Sequence, residues 1–343
     1  MRILQVMAGK GNGGAELYST DVMLSLHQQG IDQCVALRED APRAAELVQA
    51  GLRMAPVTAA SFPPFGRLAM GRLIAREKPD IIHCWMRRAA SLVPQTGVAT
   101  IGWFGDYEEV QNFAGCTDFV GCTEDLVRHM QASGIAAKNC AYIPTFPSVD
   151  NLPPLSRAAL DTPADANLLL TLSRLHPTKG LDTLLLALQD LPDCYLWIAG
   201  DGPMRAELEA LAGRLGVIGR VRFLGWRNDR GALLRAADIC LLPSSYEPFG
   251  TVILDAWSTH CAFIACDSAG PRAHLRDREN GMLVPAGDPG ALAAAIRAVN
   301  ADPQLRDCIV ANGYADYRAQ FTREAVTRQW ITYYEALAVA HAN

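Results

Sequence analysis

Short apolar runs and amphipathic stretches take turns along the chain. RILQVMA (2–8) predicts a buried strand, and GAELYSTDVMLSLHQQG (14–30) has the three-to-four spacing of a helix that stops at Gly30. The same pair of signals returns in DQCVALR (32–38) and APRAAELVQAG (41–51). A helical stretch, GRLAMGRLIAREKPD (66–80), leads into the strand IIHCW (81–85), and ATIGWF (99–104) and DFVGCT (118–123) read as further strands. TEDLVRHMQASG (123–134) reads as a helix capped by Thr123. Residues 143–166 break the rhythm, with prolines at 144, 147, 153, 154 and 163 and no sustained period, as a linker does. The alternation then restarts from NLLLTLSRL (167–175) and runs through CYLWIAGDGP, VRFLGW and ICLLPSS, each followed by a helical pattern. TREAVTRQWITYYEALAVA (322–340) closes the chain as one long amphipathic helix.

Strand–helix alternation of this kind predicts parallel sheets with helices on both faces. The fold class is therefore α/β, two doubly wound Rossmann-like domains spanning 1–150 and 151–320. Residues 321–343 form a helix expected to cross back onto the first domain. Such sheets bind ligands at the carboxyl ends of their strands, so two of them predict a cleft lined by the loops that follow strands.

Composition narrows the classes. The 343 residues are 50% hydrophobic with a net charge of −5, which argues against a nucleic-acid partner. No run of eighteen apolar residues predicts a membrane span, and the opening run is too short for a signal peptide. The ten cysteines lack zinc spacing and read as reduced thiols of a cytoplasmic protein.

Five loops carry candidate chemistry. Gly9, Gly11 and Gly14 match G-x-G-x-x-G between a strand and a helix. The acidic residue a dinucleotide site needs is not clean, Glu39 and Asp40 being nearest, and an ordinary tight turn fits equally. Arg174 and Lys179 follow a strand five residues apart, spaced to clamp a diphosphate or simply solvated. Gly200 and Gly202 make another turn at the same edge. Arg227 and Asp229 follow VRFLGW; they suit reading a base edge, and Asn228 or Asp229 also suits a helix N-cap. In SYEPFGTVILDAW (245–257), Glu247 precedes a predicted helix with Pro248 in its first turn, and Asp255 follows eight residues on. That separation, about 12 Å if helical, suits a ligand lying lengthwise, with the N–H groups of Phe249, Gly250 and Thr251 on its phosphates. Glu247 also fits as a helix-dipole partner.

With these motifs in order, the chain resembles the retaining GT-B glycosyltransferases of family 4, also called glycosyl transferases group 1. The carriers are GNGGAE, SRLHPTKGLDTLL, AGDGPMRAEL, VRFLGW, LLPSSYEPFGTVILDAW and DSAGPRAHLRDRENGMLVPAGDPGAL. The resemblance covers nearly the whole chain and is strongest from Asn167 to Ala298. It implies that Gly13 and Gly14 approach the donor's diphosphate or sugar. Arg174 and Lys179 hold the diphosphate, Arg227 and Asp229 lie near the base, Glu247 binds the transferred sugar and Asp255 the ribose. Phe249, Gly250 and Thr251 supply main-chain donors. It also implies transfer with retention, no metal and no cofactor beyond the nucleotide-sugar co-substrate, UDP-hexose being the expected donor. The expected setting is bacterial lipopolysaccharide or exopolysaccharide synthesis, with a glycan or lipid-linked acceptor.

Two departures stand out. The family pair is Glu-x7-Glu, whereas the second member here is Asp255, one methylene shorter, which implies a looser or water-mediated ribose contact. Many relatives carry a histidine after the strand that here reads ATIGWF; this chain has Gly105–Asp106–Tyr107. Asp106 and Glu108, which also fit a solvated acidic loop, are therefore acceptor-side candidates, with His83, which also reads as a packed or cleft-lining histidine, and Arg87, which with Arg88 suits an anionic acceptor. Phe62 and Phe65 precede Arg67, Arg72, Arg76 and Lys78, a pattern for peripheral contact with anionic lipid at the inner face of the membrane, or for a helix packed on its own sheet. Competing readings are a nucleotide-sugar epimerase of the same fold, an NAD-dependent oxidoreductase, a metal-dependent transferase using Asp106 and Glu108, and a sugar-binding protein.

Overall fold

The computed structural model describes residues 1–9, 13–37, 41, 43–55 and 65–342. Gly11, Glu39, Asp40 and Phe62 lie outside them. The chain forms two compact units, Met1–Phe146 with Arg323–Asn343, and Pro147–Thr322.

The first unit begins β1 (Arg2–Met7), α1 (Gly14–Gln28), β2 (Asp32–Leu37), α2 (Ala44–Gln49), β3 (Arg53–Met54) and α3 (Phe65–Glu77). It continues β4 (Ile81–Trp85), α4 (Met86–Leu92), β5 (Ala99–Phe104), β6 (Asp118–Gly121), α5 (Glu124–Ala132) and β7 (Cys140–Tyr142). The strands form one sheet in the order β3-β2-β1-β4-β5-β6-β7, with every pairing parallel. β1, β4 and β5 read as near-continuous apolar runs because helices cover both faces.

The second unit carries β8 (Asn167–Leu172), α6 (Leu181–Ala187), β9 (Cys194–Ala199), α7 (Arg205–Arg214), β10 (Val221–Gly225), α8 (Arg230–Ala236) and β11 (Ile239–Leu242). α9 (Thr251–Ser258), β12 (Ala262–Cys266), α10 (Ala269–His274), β13 (Met282–Val284), α11 (Pro289–Ala301) and α12 (Pro303–Gln320) complete it. Its sheet is also parallel, in the order β10-β9-β8-β11-β12-β13. Leu169, Leu196, Ile198, Leu241 and Ile264 fill its core against Leu184, Leu208 and Ile296 from the helices.

The last helix, α13 (Arg323–Ala342), belongs to the first unit. Val326, Trp330, Tyr334 and Leu337 recur at three- and four-residue spacing and are all buried. The polar tips of this stripe are satisfied: Trp330 Nε1 donates to Tyr18 Oη at 3.0 Å, and Tyr18 Oη donates to the Pro144 carbonyl at 2.9 Å. None of the ten cysteines, all among the described residues, forms a disulfide; Cys308 is exposed and most of the others are buried.

Pro248 corrects one expectation. The helix it was expected to enter starts at Thr251, after Gly250 turns the backbone through φ 83°. Pro248 and Glu247 therefore sit in the loop before α9 and share no helix axis with Asp255.

Candidate active site

In an open parallel sheet the crevice for a ligand lies where the strand order reverses, at the carboxyl ends. In the second unit that point falls between β8 and β11, and the loops after those two strands carry Arg174, Lys179 and Glu247. The loops are locked together. Ser245 N–H donates to the Thr178 carbonyl at 3.0 Å. Gly180 has φ 63°, and a Cβ there would lie 2.1 Å from the Pro243 carbonyl oxygen, so only glycine lets the two backbones touch. On the other side Gly270 N–H donates to the Glu247 carbonyl at 2.7 Å. A Cβ on Gly270 would stand 2.4 Å from the Phe249 carbonyl oxygen. Glu247 is thus held between the loop after β8 and the first turn of α10.

Lys179 Nζ lies 2.7 Å from Glu247 Oε2, and the two side chains are only 17% and 16% exposed. An ammonium has three N–H donors, so two remain for an anionic oxygen, while the carboxylate keeps accepting capacity for hydroxyls. Arg174, on the same loop as Lys179, is exposed and makes no ion pair among the described residues. Its guanidinium offers five donors to a diphosphate. Phe249 is buried edge-on against His274, whose burial pulls its pKa down to about 4. Thr251 opens α9, so the N–H groups there lack intrahelical partners.

Arg227 and Asp229 pair with each other through two bonds, 2.8 and 2.5 Å. Each holds the other charged: Asp229 raises the Arg227 pKa, and Arg227 lowers that of Asp229. Asp229 occupies the N-cap position of α8, but its carboxylate makes no cap bond because Arg227 takes it; Asn228 accepts instead from Trp226. Asp255 lies within α9. It is fully buried, with Oδ1 accepting from Ser148 N–H at 3.2 Å and Oδ2 from Arg230 at 3.1 Å. Both oxygens of this enclosed carboxylate are thus met by protein donors.

In the first unit Gly13 is the N-cap of α1 and Gly14 its exposed first residue. The Glu16 carboxylate folds over this turn, 3.1 Å from where a Gly13 Cβ would stand. Arg87 and Glu108 lie together at 3.6 Å, and burial raises the Glu108 pKa against the pull of Arg87. Exposed Asp106 accepts the Tyr107 N–H at 2.8 Å. His83 is wholly buried, stacked on Trp85 at 4.0 Å, with Nδ1 bonded to Tyr334 Oη at 2.8 Å. Burial pushes its pKa down to about 3, so the ring is neutral. Among the described residues no three His, Cys, Asp or Glu side chains are grouped to hold a metal ion.

The model of the glycosyl transferases group 1 family matches residues 154–316. The lipopolysaccharide core biosynthesis glycosyltransferase LpsE of Rhizobium meliloti strain 1021 is 33% identical over 338 residues, 96% of this chain and 98% of LpsE. This chain belongs to the glycosyl transferases group 1 family. LpsD of the same organism, also a lipopolysaccharide core biosynthesis glycosyltransferase, is 30% identical over 343 residues, 98% of each chain. Anabaena HepE, solved in complex with UDP and glucose, superposes with a TM-score of 0.85 over 98% of this chain and 100% of its own. At 22% identity that likeness shows the GT-B fold.

Two supporting residues of this transferase escaped the sequence reading. Gly270 clamps Glu247 through its backbone; its place in DSAGP, in the first turn of α10, was the available signal. Arg230 pairs with Asp255 from 25 residues away, and no local spacing announces such a contact.

Proposed function

We propose that this glycosyltransferase is a retaining, metal-independent hexosyltransferase that takes UDP-hexose as donor. The carrying observation is the Lys179–Glu247 pair at 2.7 Å, set by interlocked loops at the reversal of strand order, with Arg174 on the same loop. Arg174 and the spare donors of Lys179 offset the diphosphate charge, which grows as the bond from the anomeric carbon to the diphosphate oxygen breaks. Glu247 accepts hydroxyls of the sugar. The acceptor hydroxyl oxygen bonds the anomeric carbon on the face the diphosphate leaves, and its proton passes to the departing phosphate oxygen. The Phe249, Gly250 and Thr251 main chain and the Arg227–Asp229 pair complete the donor side; Asp106, Glu108 and Arg87 are offered to the acceptor.

The relatives LpsE and LpsD support an acceptor in lipopolysaccharide core or a related bacterial surface glycan. Peripheral lipid contact fits the exposed side of α3, where Phe65 and Leu68 are 71% and 55% exposed beside Arg67 and Arg72. No helix among the described residues is long and apolar enough to cross a membrane.

A donor panel tests this reading: thermal shift and donor hydrolysis with UDP-, GDP-, ADP- and dTDP-hexoses, each with and without EDTA. UDP-hexose should shift and turn over in EDTA, and the product should keep the donor's anomeric configuration by NMR. Preference for another nucleotide, loss of turnover in EDTA, or inversion would each overturn its part of the proposal.

A further inference from the structure

Asp255 stands where the family pattern puts a second glutamate, and the structure gives it other partners. One carboxylate oxygen takes the Ser148 N–H and the other takes Arg230, which also donates to the Ser148 carbonyl. The three groups form a closed ring joining α9, the first residue of α8 and the segment that opens the second unit. Asp150 repeats the anchor two residues later: its Oδ2 accepts the Gly231 N–H at 2.7 Å, and Arg235 donates to its carbonyl at 2.8 Å. The start of α8 is therefore held on two sides. The Arg227–Asp229 pair lies immediately before it, joined by one peptide bond to Arg230.

We propose that Asp255 is a positioning residue that acts through Arg230 on the loop of Arg227 and Asp229, and not a ligand of the ribose. The inference rests on the donor reading above. It also accounts for the shorter side chain. With no exposure and a protein donor on each oxygen, the carboxylate has no room to move outward by a methylene. Removing either Asp255 or Arg230 opens the same ring, so their effects should not multiply. The bonds that place Asp255 and Arg230 run to Ser148 and to each other rather than to Lys179 or Glu247, so donor KM should suffer and kcat should not.

The test is calorimetric binding of UDP, 2′-deoxy-UDP and 3′-deoxy-UDP to the wild type, Asp255→Asn, Arg230→Met and the double variant. Each single variant should weaken UDP by about tenfold, the double should be no weaker than the worse single, and every variant should keep the wild-type ratio of UDP to deoxy-UDP affinity. Loss of that ratio in Asp255→Asn alone, or multiplied effects in the double, would show a direct ribose contact and overturn the inference. If Asp255→Asn does not fold, Arg230→Met decides: unchanged UDP affinity overturns the inference, and weaker binding with the ratio intact supports it. A wild type that binds no UDP overturns the donor reading, and this inference falls with it. A wild type that binds UDP while the ratio test goes the other way removes the inference alone.

Discussion

The paired side chains of the candidate site are defined by the groups they meet. Lys179 and Glu247 hold each other at 2.7 Å in a half-buried setting, where charge counts for more than on an open surface. Replacing either strands the other. Lys179→Ala and Glu247→Ala should each lower kcat/KM for transfer by about 10²–10³ while leaving the far-UV circular dichroism unchanged. Near-wild-type turnover in either variant would remove that residue from the site. Asp255→Glu should weaken donor binding even though it restores the family residue, because the longer carboxylate cannot sit between Ser148 and Arg230. Improved UDP affinity in that variant would contradict the enclosed geometry.

Helices and strands matter here chiefly for where they stop. β8, β11 and β12 end side by side, and the turns after them touch backbone to backbone, which confines Gly180 and Gly270 to a residue without a side chain. At Gly180 the left-handed backbone alone costs a substituted alanine about 1–2 kcal/mol. The overlap with the Pro243 carbonyl adds to it. Gly180→Ala should therefore lower the urea midpoint of the second unit and reduce transfer by displacing Lys179, the residue before it. A midpoint equal to the wild type would mean the loops separate at no cost. Most elements were legible along the chain. Apolar runs mark the strands, Thr123 does cap α5 through its bond with the Leu126 N–H, and Gly30 does end α1 in a left-handed turn. The start of α9 was misplaced, because Pro248 is a plausible first-turn residue and the backbone reversal at Gly250 overrode it.

At the scale of the whole molecule, α13 closes the first unit. Trp330 and Tyr334 are wholly buried in it, and Tyr334 meets the His83 ring. A chain ending at Thr322 would expose that aromatic cluster, so it should aggregate or bind a hydrophobic dye where the full chain does not. His83 makes the fold sensitive to acid. Its pKa is about 3 folded against 6.5 unfolded, so the neutral ring contributes fully above pH 6.5. Below that, the unfolded state gains a proton the folded state refuses, and stability falls by about 1.4 kcal/mol per pH unit until about pH 3. His274 adds to the loss between 6.5 and about 4. Urea midpoints measured from pH 7 to pH 4.5 should fall steadily, and His83→Gln should flatten the slope.

The order of residues by itself determined the alternation of strand and helix, the proline-rich joint, the amphipathic last helix and the loops in which cations and carboxylates gather. These are local properties, written in spacing and turn chemistry within a few positions. Only the tertiary structure decided which of those polar groups meet. It joined Lys179 to Glu247 across 68 positions, enclosed His83 against a helix 251 positions away, and turned Asp255 inward onto Ser148 and Arg230. The reason is physical. Burial and pairing depend on which parallel strands lie side by side, and that adjacency is set by the packing of a whole sheet rather than by any stretch of sequence.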